Sequence, residues 1–305
     1  MHGIHIVIVT YNGETWIQRC LQSIIDAAPD AIVHIIDNCS SDKTVAICEE
    51  MGFDVKSTME NLGFGRANNM GIEQSLNAGA EDILLLNQDA YLTKESINNF
   101  YSSPIDPCIP QVHAFLQMNG DGTDFDRNFK NTYLKENYCP GFLNDFKSQS
   151  LKESYDIKFA NAAAWVIPKT LIEQIGGFNP SFFHYGEDDN YIHRVHFHGF
   201  KIILRPRCQV FHDRGPAELN PYHRDALIKE RRFLLNISHP SRNDSAARIR
   251  FQQKRVYLQK RFKRIPKNKI IELIHLEFMQ RNKVKDIIRN RERSQKKGYT
   301  FLDLP

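Results

Sequence analysis

No stretch of this 305-residue sequence approaches the roughly 20 consecutive apolar residues that cross a bilayer as a helix. The N-terminal His2-Gly3-Ile4-His5-Ile6-Val7-Ile8-Val9 lacks the basic flank and length of a signal peptide and reads as a first strand. Cysteine is sparse and scattered: Cys20, Cys39, Cys48, Cys108, Cys139 and Cys208 form no Cys-x-x-Cys pair, which argues against a zinc site or a disulfide frame and predicts reduced thiols and a cytoplasmic protein. No Gly-x-Gly-x-x-Gly follows the first strand, where Tyr11-Asn12-Gly13-Glu14 stands instead, so a nicotinamide or flavin enzyme is set aside. Thr10–Trp16 also lacks the Gly-rich, Lys/Arg-bearing loop that a sugar-nucleotide nucleotidyltransferase would want there.

What is present is unevenly charged. Residues 1–221 carry 17 Lys and Arg against 28 Asp and Glu, whereas residues 222–297 carry 23 against 7. An acidic body with a basic C-terminal extension over 222–305 predicts two parts with different partners. In the extension, Arg248–Ile265 reads as a helix with Phe251, Leu258, Phe262 and Ile265 on one face, followed by a second helix over Ile270–Met279 and the basic run Arg281–Lys297. Such a segment suits a peripheral contact with an anionic membrane, packing on the acidic body, or a contact between subunits. Charge alone would allow nucleic acid, and nothing else in the chain supports it.

Strands and helices alternate over the first ninety residues. His5–Thr10, Ile32–Asp37, Phe53–Ser57 and Ile83–Asn87 read as strands, separated by helical patterns around Trp16–Ile24, Thr44–Met51 and a helix from the Asn61–Asn69 loop to about Ala78. This order predicts an α/β fold with a Rossmann-like, mostly parallel sheet flanked by helices. The strand ends Thr10–Asn12, Asp37–Asn38 and Asn87-Gln88-Asp89 are polar and share one edge of such a sheet, the edge where open α/β sheets bind ligands. A carboxylate at the end of a buried strand, Asp89, is placed to hold Mg²⁺ or Mn²⁺ that completes its shell with phosphate oxygens. Gly63, Gly65 and Arg66 at a helix start would let backbone approach a diphosphate.

The second half reads as loops and short helices over 100–156 with one strand at Gln111–Met118, a strand over Lys158–Ile167 and a short helix stopped by Gly176-Gly177. Strands then follow at Lys201–Leu204 and Gln209–Asp213. Glu187-Asp188-Asp189 opens a helix beside Phe182, Phe183 and Tyr185, and a carboxylate there is a candidate general base for an attacking hydroxyl. His212 ends a strand and is a candidate metal ligand. His193, His196 and His198 do not all share one helix face and are given no role.

Taken together, seven motifs resemble the inverting family-2 glycosyltransferases of the GT-A fold, in their rhamnosyltransferase-like branch. They are Ile8-Val9-Thr10-Tyr11-Asn12, Ile36-Asp37-Asn38-x-Ser40-x-Asp42, Asn61-x-Gly63-Phe64-x-x-Ala67-Asn68-Asn69-x-Gly71, Leu86-Asn87-x-Asp89, Gly176-Gly177-Phe178, Phe182-Phe183-x-Tyr185-Gly186-Glu187-Asp188 and Val210-Phe211-His212. The resemblance covers residues 3–215, with a nucleotide-binding half over 1–90 and an acceptor half over 91–221. It implies that Thr10, Tyr11 and Asn12 line a nucleotide pocket, that Asp37 bonds a uracil or thymine ring, and that Asn61, Gly65 and Arg66 lie near ribose and diphosphate. It further implies that Asp89 and His212 hold a divalent metal beside Asn87 and Gln88, that Asp188 next to Glu187 is the catalytic base, and that Trp165 with Ala162 and Ala163 faces the sugar. The implied reaction moves a sugar from dTDP-rhamnose or a UDP-hexose to a glycan or lipid-linked acceptor, with inversion, in bacterial surface polysaccharide synthesis. A sugar-nucleotide nucleotidyltransferase or a non-catalytic nucleotide-sugar binding module is the alternative. The chain departs from the family where Asn87 replaces the first acid of Asp-x-Asp and where Asp189-Asn190 reverses the usual spacer and acid.

Overall fold

Alternating apolar side chains give the central strands two buried faces. A computed structural model describes residues 3–106, 108–214, 225–242 and 285–304. Along β1 (Ile4–Thr10), Ile4, Ile6 and Ile8 enter one core and Val7 the other; along β4 (Asp82–Asn87), Leu84 and Leu86 oppose Ile83 and Leu85. Burial of each such side chain is worth about 2 kcal/mol. Between them run α1 (Ile17–Ala27), β2 (Ile32–Asp37), α2 (Thr44–Glu50), β3 (Val55–Ser57) and α3 (Phe64–Asn77). β5 (Ala90–Leu92), α4 (Ser96–Ser102), β6 (Gln111–Asn119), one turn of π-helix (Phe129–Tyr133), α5 (Phe142–Lys147) and β7 (Tyr155–Ile157) follow. The second half holds β8 (Ala164–Pro168), α6 (Lys169–Ile175), α7 (Glu187–Phe197), β9 (Lys201–His212), α8 (Asp225–Ser238) and a last helix, α9, over 285–294.

The nine strands form one sheet in the order β3-β2-β1-β4-β8-β6-β9-β5, with β7 also on β9. The first four are parallel, as their alternation with helices requires. Beyond β4 the sheet is mixed: β8 is antiparallel to both neighbours, and β9 is parallel to β6 but antiparallel to β5 and β7. Residues from α1, α2 and α4 join the core on one face, and residues from α3, α6 and α7 join it on the other.

Two strands differ from the sequence reading. The expected strand over Lys158–Ile167 begins only at Ala164, because Asn161–Ala163 turns back on itself with the Ala163 amide 2.9 Å from the Asn161 carbonyl. The two expected strands over Lys201–Asp213 are one strand, β9, whose pairing with β6 skips from Arg205 to Gln209. Pro206, which has no amide hydrogen to give a ladder, sits in that bulge.

The described parts of the basic extension dock on the body. From α9, Asn290 donates to Ser181 Oγ at 2.9 Å and buried Arg291 reaches the Ile237 carbonyl of α8. The tail beyond α9 is stapled by Asn69 of α3, whose amide donates to the Phe301 and Phe178 carbonyls at 3.1 and 2.9 Å. Gly176, at φ +69°, is needed there because a Cβ would strike the Thr300 backbone. The helices expected over 248–265 and 270–279 lie outside the described residues, and no helix among the described residues is long and apolar enough to cross a membrane.

Candidate active site

The C-terminal ends of β1, β2 and β4 open into a cleft of about 1040 Å³, closed on its far side by the start of α7 and by residues 128–138. At the β1 and β4 ends, Gln88 clamps the neighbouring turn: its Oε1 accepts from the Tyr11 amide at 2.9 Å and its Nε2 donates to the Tyr11 carbonyl at 3.1 Å. A Cβ at Gly13 would displace the Gln88 amide from this clamp. The clamp leaves the Tyr11 ring 47% exposed at the cleft edge. Asn61 Oδ1 accepts from Asn38 Nδ2 and from the Gly63 amide, both at 2.9 Å, shaping the loop before α3.

Asp89, just before β5, meets His212, which pairs with Ala90 at the end of β9. Asp89 Oδ1 lies 3.4 Å from His212 Nε2. His212 Nδ1 is 3.0 Å from Gln117 Oε1, an atom that can only accept, so Nδ1 carries a proton and the ring is fixed with Nε2 toward Asp89. Burial would raise the Asp89 carboxyl, but the facing His212, with Arg214 behind it, outweighs burial and holds the carboxyl below its ordinary range. Asn87 Oδ1, on the same rim, is buried without a hydrogen-bond partner. Adjacent ligands of an octahedral ion with bonds of about 2.1 Å lie ~3 Å apart, so Asp89 and His212 suit a hard divalent cation. They supply two ligands only; among the described residues no three His, Cys, Asp or Glu side chains are grouped to hold a metal. A cation here would depend on oxygens brought by a ligand.

Across the cleft, Gly186 at φ +101° starts α7 and sets Glu187, Asp188 and Asp189 in its first turn. Burial and then the Asp188 charge push Glu187 up to about 8 and Asp189 up to about 7. Asp188 is also raised by burial, opposed by the amides of Asp189, which donates to its Oδ1 at 2.8 Å, and Ala162, and by Arg231 of α8. A half-buried carboxylate held by amides yet raised in pKa is a stronger proton acceptor than an ordinary aspartate.

Of the residues singled out from sequence, Tyr11, Asn61, Asn87, Gln88, Asp89, Ala162, Ala163, Glu187, Asp188 and His212 line this cleft together. Thr10, Asn12, Asp37, Gly65, Arg66 and Trp165 are not on its wall. Thr10 and Asp37 are buried as partners, with the Thr10 hydroxyl donating to Asp37 Oδ1 at 2.8 Å and the Ser40 amide to Oδ2 at 2.9 Å. Asn12 bonds Ser40 and Ser41 through its amide and Oδ1, bracing the turn that presents Tyr11. Gly65 lets α3 approach Phe178 and Glu187, and Arg66 is exposed elsewhere. Trp165 does not face a sugar: strand alternation turns it away from Ala164 into the core, against Tyr191. His193 and His196, which sequence reasoning dismissed, do line the cleft, because i and i+3 share a face once His198 is set aside. Gln117, Asn161, Tyr133 and Arg231 were missed; only the inward register of Gln117 on its strand carried a signal.

The glycosyl transferase family 2 profile matches residues 5–175. The chain is 29% identical over 218 residues to the low-salt glycan biosynthesis hexosyltransferase Agl10 of Haloferax volcanii, covering 69% of this chain and 66% of that one. Among solved structures it resembles S. aureus TarS 1-349 in complex with UDP-GlcNAc (TM-score 0.54, 15% identity, 96% of this chain and 91% of that one). It also resembles GalNAc-T7 with UDP, GalNAc and Mn²⁺ (0.55, 15%, 78% and 51%) and the Pyrobaculum calidifontis mannosyltransferase PcManGT with GDP-Man and Mn²⁺ (0.53, 16%, 78% and 63%). Those likenesses establish a shared GT-A-like fold, and with the profile spanning more than half its length the chain belongs to glycosyl transferase family 2.

Proposed function

We propose that this protein is a divalent-metal-dependent, inverting glycosyltransferase that moves a sugar from a nucleoside diphosphate to a hydroxyl of a glycan or lipid-linked acceptor, with dTDP-rhamnose or a UDP-hexose as donor, in surface polysaccharide synthesis. The observation that carries this reading is the pairing of Asp89 and His212, 3.4 Å apart, with Asp188 on the wall opposite in one cleft. Solved structures of the same fold with UDP, UDP-GlcNAc or GDP-Man, two of them with Mn²⁺, support it.

Each part of the cleft then has a task. The exposed ring of Tyr11, held by Gln88, stacks on the base. Asn61 and the Gly63 amide region flank the ribose and diphosphate. Asp89 and His212 hold the metal, which when bound neutralises charge on the diphosphate leaving group. The small side chains of Ala162 and Ala163 leave room for the transferred sugar. Asp188 takes the proton from the acceptor hydroxyl as its oxygen attacks the anomeric carbon from the face opposite the diphosphate, which inverts that carbon.

Thermal melting of the purified protein with dTDP, UDP, GDP or CDP, each with and without Mn²⁺, tests the donor site. A nucleotide at 100 times its Kd adds about 2.7 kcal/mol of stability. The reading expects a shift with dTDP or UDP that grows with Mn²⁺ and disappears in Asp89→Ala. No shift with any nucleotide would remove it.

A further inference from the structure

Beside Asp188 the cleft has a wall, built from residues 128–138 and Phe159, to which the proposed donor site gives no task. After β6 the chain makes its turn of π-helix, where the Leu134 amide reaches the Phe129 carbonyl five residues back at 3.1 Å. Such turns recur at functional sites because the widened backbone re-aims side chains. Here buried Asp126 starts the turn by accepting from the Phe129 amide at 2.7 Å, and its other oxygen accepts from Arg214 at 2.8 Å, next to Asp89 and His212. The turn carries Tyr133 into the cleft, and the Lys158 amide, donating to the Tyr138 carbonyl at 2.9 Å, ties the following segment down.

The result is a contiguous aromatic ledge. The ring of Tyr133 lies 5.2 Å from that of Phe159 and 6.4 Å from that of Tyr138, and all three are half-buried at the cleft wall. Tyr133 lies close enough to Asp188 and Asp189 that, after burial, their charges are what most raise its phenol. Asn128, Thr132 and Asn137 are exposed around the ledge on the same cleft. Rings flanked by short amides and a hydroxyl match a pyranose, whose C–H face is apolar and whose rim is hydroxyls. The charges around it are largely matched: Arg214 is paired with Asp126 and Arg231 faces Asp188 and Asp189, which leaves, among the described residues, the exposed Lys158 as the cation beside the ledge that a phosphate would have to use.

We propose that this ledge, Tyr133, Tyr138 and Phe159 rimmed by Asn128, Thr132 and Asn137, is the acceptor subsite and takes a neutral saccharide, presenting its hydroxyl to Asp188. The inference rests on the donor reading above and narrows the acceptor to an uncharged sugar unit rather than a phosphate.

Saturation-transfer NMR on the full chain with UDP, dTDP and Mn²⁺ present tests it, using the α- and β-methyl glycosides of glucose, galactose, mannose, rhamnose and N-acetylglucosamine as probes. Glucose 1-phosphate and vesicles containing undecaprenyl phosphate are run alongside. At least one neutral glycoside is expected to bind, about tenfold more weakly in Tyr138→Leu, where a ring face is lost, and within about threefold of wild type in Tyr138→Phe. Asn137→Ala, a change at an exposed position, should weaken the same glycoside, and it supplies the readout if the Leu variant does not fold. Binding of only the phosphate probes, or glycoside binding unchanged in Tyr138→Leu and Asn137→Ala, overturns the proposal. If the nucleotide melting shift is present and every glycoside is silent, the acceptor inference falls alone; if both are absent, the donor reading falls with it.

Discussion

Glu187→Gln converts the electrostatics of the α7 start into a measurable pH dependence. Glu187 is 4% exposed, its Oε2 has no hydrogen-bond partner, and its carboxyl is pushed from 4.5 up to about 8. A group whose folded value lies above its unfolded value binds more protons in the native state. Its contribution to stability is therefore fully present below the unfolded value and is lost as pH rises through the folded one. Between pH 4.5 and 8 the wild type should lose stability from this residue, at most roughly 4–5 kcal/mol across the window because Asp188 and Asp189 titrate with it, and nothing further above it. Glutamine carries no charge but buries an amide that lacks a ready partner, at a cost of ~1–3 kcal/mol. The variant should thus be equal to or weaker than wild type near pH 4.5 and more stable by roughly 1–4 kcal/mol near pH 8. Guanidinium denaturation followed by tryptophan fluorescence reads the difference at each pH. A difference that stays constant with pH, or that favours the wild type as pH rises, would refute a buried, proton-holding Glu187.

Asp188→Asn should lower sugar transfer by about 10²–10⁴-fold while leaving the nucleotide melting shift in place, which separates proton transfer from donor binding. Gln117→Leu removes the acceptor that orients His212; the Mn²⁺ concentration needed for the nucleotide-induced melting shift should rise roughly 10–100-fold. Gly63→Ala should destabilise the protein by about 2–3 kcal/mol in chemical denaturation, because Gly63 is at φ +82° and a Cβ would strike the Phe183 carbonyl oxygen.

The nucleotide half was legible because its signals are local. Apolar runs such as Ile83–Leu86, alternating with helical patterns, read as strands buried on two faces, and Thr10, Asp37 and Asn87 then fall on one edge. The acceptor half was not, for physical reasons that differ by residue. Tyr133 reaches Asp188 through a π turn, which no periodicity announces. The family resemblance implied Trp165 at the sugar, but the strand starts at Ala164 and alternation sends the indole into the core. Gln117 and His212 are partners 95 residues apart in sequence, a pairing fixed only by the register of β6 on β9. His193 and His196 were dismissed by testing three histidines as one set when two of them share the cleft face.

The central claim is that this cleft cleaves a sugar nucleotide with Asp89 on the diphosphate side and Asp188 on the acceptor side. The most direct measurement is release of free nucleoside diphosphate from dTDP-rhamnose, UDP-glucose, UDP-galactose, UDP-N-acetylglucosamine and GDP-mannose, with Mn²⁺ and the methyl glycosides as acceptors. The account predicts acceptor-stimulated release from a dTDP- or UDP-sugar by the wild type, and its loss in both Asp89→Ala and Asp188→Asn. Release that persists in Asp188→Asn at the wild-type rate, or no release from any donor whose nucleotide is bound, would contradict it.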